Sequence, residues 1–479
     1  MDRLKMEENK SLGDNSTAEP SVLDKTAGRM DRDPARVAFL TAPLGNLILK
    51  NTLPAIASML FMAFYHIVDA IMVGRSIGPD ALASVNILYP IMAFFIGLAA
   101  MIGVGGNARV AVLQGSGNTE NARRVLGLVV VLGVGLGVAG SLITIFASPS
   151  LLVFLGTSGA LGEMAGRYLM AIYPFFAMMI LIFILEQTVR NDGRPNLATA
   201  VMMGMALLNI VLDYFFLFPL QLGIAGAGLA TGLSQTMGAL IFIGYFAVKK
   251  IRNRPGLQVG LPGGGLPVLR IIAFNGSSEF FTSIASGLTT FLFNRALLAY
   301  LGGAGVAAFA MAQYLIMFGS VVFIGISVGA QPILSYNHGA DRFERVKKTL
   351  IYVMVSSWIL GVIFFVVLRT QTAEMITLFI PDHPETAALT IRVSSIVSWT
   401  LLIMPIGIIS STFFTALERA GSSLLISFSR GFFFTVVGLL VFPSFWGVEG
   451  ILFTPLFSEA ASFLVTVVLL ARWAVKCSQ

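Results

Sequence analysis

Asn209 and Asp213 stand four residues apart in LLNIVLDYFF (207–216), inside an apolar run long enough to cross a bilayer. In a helix that spacing puts the amide and the carboxylate on one face. Asp69, Glu279 and Glu459 interrupt other apolar runs in the same way. An ionised carboxylate at the centre of a membrane helix costs about 2.5–3.5 kcal/mol on insertion scales, so such groups usually face an interior cavity and serve a purpose there. Thr231 lies on the run after Asp213, and Asp69 lies on the first, fifteen residues after Pro54. Neighbouring helices can bring Asp69, Asn209, Asp213 and Thr231 together as an ion site. Two carboxylates can hold one proton between them because like charges repel. The same oxygens could coordinate a dehydrated cation such as sodium. A buried hydrogen-bonded network without a transport role is the alternative. Pro54 frees a carbonyl inside its helix and supplies a bend point.

Other polar residues carry weaker signals. Glu279 could meet a cation in a central cavity or serve helix packing, and Glu459 reads as a packing residue. Glu186, Asp192 and Glu418 fall near helix ends, where structural pairing is expected. His66, close to Asp69, is expected to pack, and His338 and His383 are expected in loops. Met62, Phe64, Tyr65 and Met311 could line an adaptable pocket. Glycine patterns such as GVGLGVAG (133–140) fit small-residue helix contacts better than a nucleotide loop. The sequence has no Walker motif, catalytic Ser-His-Asp pattern or metal-ligand spacing, so neither an enzyme nor a cofactor is expected. Its one cysteine, Cys477, cannot form an intrachain disulfide.

The elements that position these residues are membrane helices. The chain has 479 residues, 56% hydrophobic and 11% charged. Soluble domains carry about 25% charged residues, and a mean hydropathy of +0.85 excludes that class. Runs of about 20 apolar residues can span a bilayer. Twelve are expected, near 47–73, 83–106, 124–147, 166–186, 196–218, 226–248, 268–299, 305–331, 349–368, 389–413, 422–442 and 450–473. With a cytoplasmic N-terminus, 26 of the 31 Lys and Arg residues fall on the inner side, Arg430 among them. The positive-inside rule thus supports twelve spans with both termini cytoplasmic. The basic balance therefore reflects loops, and no nucleic-acid partner is expected. Residues 1–40 are polar and mixed in charge, and read as a disordered tail without signal-peptide features.

The chain also repeats itself. VGGNARVAVLQGSGN (104–118) matches VGAQPILSYNHGADR (328–342) at an offset of 224 residues. LGIAGAGLATGLSQ (222–235) matches WGVEGILFTPLFSE (446–459) at the same offset. Six spans per period give a parallel repeat, an arrangement that places a substrate path between the halves. The division is a tail at 1–40, a six-helix lobe at 41–248, a Gly- and Pro-rich linker at 249–267 and a second lobe at 268–475. At the offset, Asp69 becomes Phe293, Asp213 becomes Val437 and Thr231 becomes Pro455. The scaffold is duplicated and the acidic chemistry is not.

Three segments carry a family resemblance: YHIVDAIMVGRSIGPDALASVN (65–86), EQTVRNDGRPNLATAVMMGMALLNIVLDYFF (186–216) and VGAQPILSYNHGADRFERVKK (328–348). Over essentially residues 40–475 the chain resembles the MATE family, multidrug and toxic compound extrusion transporters, and within it the MepA-type subgroup. The resemblance implies an all-α polytopic fold, with twelve transmembrane helices in two parallel six-helix repeats forming a V-shaped pair of lobes. It implies antiport of small, often aromatic organic cations against protons or sodium across a bacterial-type plasma membrane. In the branch that includes the DinF-like proteins, an Asp of the first helix joins an Asn-xxx-Asp pair in the fifth and a Thr in the sixth. Asp69, Asn209, Asp213 and Thr231 match that pattern, and Pro54 matches the bend-forming proline. Another branch uses acids in helices seven and ten. Glu279 could fill the first role, but the tenth span (IRVSSIVSWTLLIMPIG) has no acid. The rival expectation is a lipid-linked oligosaccharide flippase of the same superfold, which should favour a cationic cavity for a pyrophosphate headgroup. Membrane lipid is the only other partner expected, and the protein is expected to be a monomer.

Overall fold

A computed structural model describes residues 33–155, 159–379 and 384–478. Every regular element among the described residues is a helix, as lipid requires of a chain that must satisfy its backbone groups internally. The first six spans are Leu44–Ser76, Tyr89–Gly115, Thr119–Val153, Gly159–Asn191, Pro195–Leu217 and Ile224–Ile251. The seventh and eighth spans run together as Gly265–Gly339. A straight helix of that length would reach about 110 Å, far beyond a bilayer core of about 30 Å. The run breaks at Gly302 (φ 64°, ψ −158°), a backbone conformation that a side chain would strain. The ninth span is Phe343–Ile376, the tenth is the pair Ala387–Val397 and Thr400–Ala416 bent by 52°, and Ala420–Trp446 and Val448–Val475 complete twelve.

Several sequence expectations change. The last residues of the expected tail form a helix, Pro34–Thr41, started by Asp33, whose side chain accepts from Ala35 N at 3.0 Å. Arg345 and Asn337 hold this helix by donating to the Phe39 carbonyl. Residues 1–32 and His383 lie outside the described residues. His338 is in the last turn of the eighth span rather than a loop. The fourth span starts earlier than expected and passes through a 3-10 turn at Tyr173–Phe175. Arg430, expected on the basic side, sits well inside the eleventh span, because Glu459 of the twelfth span is there to pair with it.

Spans one to six and seven to twelve form the two lobes of a V. Their tightest approaches lie toward the end that carries the basic loops. A Cβ on Gly115 would collide with the Tyr336 carbonyl, and one on Gly339 with the Val112 carbonyl. Adding 224 to Gly115 and Val112 gives Gly339 and Tyr336, so these two contacts are one contact seen twice across a pseudo-two-fold axis. Gly105 against Gly276 and Gly329 against Thr52 repeat the pattern. Only glycine lets backbones come this close. Arg109 of the second span ties the seam from one lobe to Glu418 of the other at 2.9 Å, and Tyr336 donates to the Asn191 carbonyl across it.

Candidate functional site

The structure brings the four residues of the expected ion site together in the N-terminal lobe. Asn209 Nδ2 donates to Thr231 Oγ1 at 3.5 Å, joining the fifth and sixth spans. Asp69 on the first span lies close enough to Asp213 for the two carboxyl groups to interact. Asp213 is fully buried and Asn209 nearly so. Asp69 Oδ1, Asn209 Oδ1 and both carboxylate oxygens of Asp213 are buried without a hydrogen-bond partner. Buried polar atoms are ordinarily satisfied, and these acceptors from three residues are free to take a cation or a proton. All are hard oxygens, the donor type that suits a proton or an alkali cation rather than a soft metal.

Two tyrosines border the pair. Tyr65, one helical turn before Asp69, is within electrostatic reach of both carboxylates. Tyr168 on the fourth span lies near Thr231 and is within electrostatic reach of both carboxylates. Sequence reasoning missed Tyr168. The available signal was a phenol inside an apolar span, which needs a hydrogen-bonding partner when buried.

Next to the cluster lies a cavity of about 370 Å³ enclosed by spans one, two, four, five and six. Met62 and five further methionines line it with Tyr65, Phe95 and Phe183. His66 also lines it, its ring stacked at a tilt on Tyr65 with centroids 4.1 Å apart. Glu186 contributes the one acidic side chain of the lining. It is held by Arg190 at 2.8 Å, which also donates to Ser58. Both members of this pair are almost fully buried. The sequence suggested only structural pairing for Glu186 and did not show that it lines a cavity.

The other candidates lie elsewhere. Pro54 is within a helix that continues through it, and its carbonyl accepts from Thr199 Oγ1 of the fifth span at 2.6 Å. Phe64 is exposed and does not line this cavity. Met311 is in the C-terminal lobe, near Thr390. Glu279 is half-buried on the seventh span and makes no ion pair among the described residues. At the basic end, Asp192 accepts from Tyr245, Lys249 and Leu257 N, tying the loop after the fourth span to the sixth span and the linker. Burial pushes its carboxyl up, against the pull of Lys249.

Comparison with known proteins agrees with this architecture. The MatE family model matches residues 54–215 and again 280–440, once in each lobe. The multidrug export protein MepA of Staphylococcus aureus (strain MSSA476) is 25% identical over 447 residues, covering 92% of this chain and 97% of that protein. The crystal structure of MATE in complex with MaL6 superimposes with a TM-score of 0.86 at 22% identity, over 92% of this chain and 99% of the other. A MOP superfamily transporter from Pyrococcus furiosus, described as having a binding pocket of reverse polarity that suggests a different function, gives 0.85 at 22% identity, over 92% and 98%. With both halves of the chain matched by the same model, and a twelve-helix, two-lobed fold around them, this protein belongs to the MatE family.

Proposed function

We propose that this protein is a multidrug efflux antiporter, exporting small organic cations in exchange for protons or sodium ions. The observation that carries the reading is the adjacency in one lobe of a methionine- and aromatic-walled cavity and a buried cluster with unpartnered carboxylate oxygens. Methionine is flexible and polarisable, so such walls adapt to flat apolar bodies of different shape. Aromatic faces attract organic cations, and the Glu186–Arg190 pair leaves the cavity wall without net charge. Tyr65 belongs to both the cavity and the surroundings of the acidic pair, which gives the two a physical link.

The positive-inside rule puts the basic end in the cytoplasm, so the V opens outward. An ion entering from outside would neutralise the Asp69–Asp213 pair. That would weaken the field a bound cation feels and favour its release. After reorientation the ion leaves to the cytoplasm and the pair regains its charge for the next cation. Coupling of this kind requires that each ligand bind the two states with different affinity. Pro54 and its bond to Thr199 lie where the first span can flex against the fifth. A flippase reading gains nothing from the lobes' interior charge. Carboxylates dominate the N-terminal lobe, and Arg430 in the other is neutralised by Glu459.

The test is ethidium efflux from proteoliposomes, with a proton gradient and a sodium gradient imposed separately. Efflux under one gradient supports the antiporter and identifies its ion. Folded protein that exports under neither gradient overturns the reading.

A further inference from the structure

The C-terminal lobe holds a second cavity, of about 610 Å³, enclosed by spans seven, eight, ten, eleven and twelve. At the 224-residue offset these are the counterparts of the five spans that enclose the N-terminal cavity. The correspondence extends to single residues. Gln235 lines the first cavity and Glu459, its counterpart, lines the second. Phe293, the counterpart of Asp69, also lines the second. The chemistry of the walls differs. The second cavity has two methionines, Met317 and Met404, where the first has six, and it is richer in hydroxyl and amide groups, among them Thr282, Ser286, Thr290 and Asn294.

Its charged feature is Arg430, whose Nε donates to Glu459 Oε1 at 2.6 Å. The two Nη groups of Arg430 make no hydrogen bond to any described residue, and neither does Glu459 Oε2. The pair is held firmly from behind. Arg430 is in a π-helical turn, Ser429–Phe433, and Ser458 Oγ donates to its carbonyl at 2.7 Å. Such turns are frequent at functional sites. The pair is only partly buried, with 24% of the Arg430 side chain exposed, so its free donors and free acceptor on the cavity wall are open to a further ligand.

We propose that the C-terminal cavity is a second binding site, for a small amphoteric solute that carries both a carboxylate and an ammonium group. The carboxylate would accept from the free Nη groups of Arg430, and the ammonium would donate to Glu459. A net-neutral ligand matches a net-neutral pair, so no uncompensated charge is buried. The hydroxyl lining satisfies the remaining polar groups. A simple cation could use only Glu459, and a simple anion only Arg430. The site stands independently of the coupling-ion reading of the other lobe.

The full-length protein in nanodiscs tests this with three fluorescent probes of one scaffold. Nε-dansyl-lysine carries both charges, dansylcadaverine only the ammonium and dansylglycine only the carboxylate. Dansyl-lysine should bind at least about tenfold more tightly than the other two to the C-terminal site, because it alone makes both charge-assisted contacts. The double variant Arg430→Gln/Glu459→Gln removes both charges without stranding either, and should abolish that preference. If it does not fold, Thr290→Trp, which fills the cavity and leaves the pair intact, should abolish dansyl-lysine binding instead. Asp69→Asn/Asp213→Asn should leave dansyl-lysine binding unchanged, which separates this site from the N-terminal one. Equal binding of the three probes, or dansyl-lysine binding that survives in the folded C-lobe variants, overturns the proposal.

Discussion

The two lobes share a backbone plan and differ in what it carries. Where the N-terminal lobe has Asp69, the C-terminal lobe has Phe293, stacked on Phe309 with ring centroids 4.9 Å apart. Where the first has Asp213 and Thr231, the second has Val437 and Pro455. The ion pairs differ as well. Glu186 and Arg190 are one turn apart on a single helix, so that pair would survive relative movement of spans. Arg430 and Glu459 join two helices, so theirs resists it. Duplication thus preserved the close glycine contacts between the lobes, while the interiors diverged. In the first lobe, buried acceptors lack partners and the cavity wall is apolar. In the second, charge is already balanced and the wall carries more polar groups. A coupling site needs the first condition, because a charge that is already neutralised cannot respond to an ion.

The largest effect should come from attacking that difference directly. Asp213→Asn keeps the shape of the side chain and removes its charge, so gradient-driven ethidium efflux should fall to the level of empty proteoliposomes while folded protein is retained. Adding Phe293→Asp to an Asp69→Asn variant places a carboxylate at the equivalent point of the other lobe. No efflux should return, because Val437 and Pro455 offer neither a second acid nor a hydroxyl there. Rescue would mean that the lobes are functionally interchangeable and would break the comparison.

Arg190→Met leaves Glu186 buried without its counter-ion. Breaking a buried pair by removing one partner costs about 3–5 kcal/mol, and a large fall in thermal midpoint should follow, read on detergent-solubilised protein. Glu186→Gln/Arg190→Met removes both charges and should recover most of the loss. If it does not, the pair does more than neutralise itself.

How far the sequence disclosed this site depended on the kind of signal. Asp69, Asn209, Asp213 and Thr231 could be read because charge in an apolar span is conspicuous and the i, i+4 spacing fixes a face. The repeat offset assigns the acidic residues to one lobe, since Phe293, Val437 and Pro455 stand at the equivalent points of the other. Met62 and Tyr65 were legible as pocket residues and do line the cavity, but Thr199 and most of the lining could not be read in this way, since they are ordinary span residues until three dimensions bring them together. Arg430 misled for a physical reason. A lone arginine near a span end counts as a loop charge, and its partner Glu459 is twenty-nine residues further along the chain. The division at Gly302 was placed near the right point, because glycine pairs mark turns, but nothing local said that the helix would continue on both sides of a single residue.

The lobe seam offers a test of the symmetry itself. Gly115→Val and Gly339→Val each place a side chain against a carbonyl of the opposite lobe. Overpacking of this sort costs about 1–3 kcal/mol. The two substitutions should lower the thermal midpoint by similar amounts, because each is the image of the other. Each should also favour the conformation in which the basic end is open, detectable as faster labelling of a single cysteine placed at that end. A strong inequality between them would show that the pseudo-two-fold axis is only a sequence relic.

The smallest expected effect concerns the hinge of the N-terminal lobe. Thr199 donates to the Pro54 carbonyl and so pins the first span to the fifth beside a proline. At the 224-residue offset Thr199 becomes Ser423, which donates instead to the Ser411 carbonyl of the tenth span and shares hydroxyl contacts with Thr415. One lobe therefore anchors the helix that carries its acid, and the other anchors a helix that carries none. Thr199→Val keeps the shape and removes the bond, at about 1 kcal/mol, so stability should change little. Efflux rate should change more than stability does if the proposed coupling holds, because the first span gains freedom beside Asp69. Ser423→Ala should lower stability by a similar small amount and leave the efflux rate alone. Equal changes in rate from both would assign the hinge to the scaffold as a whole rather than to the lobe that holds the ion site.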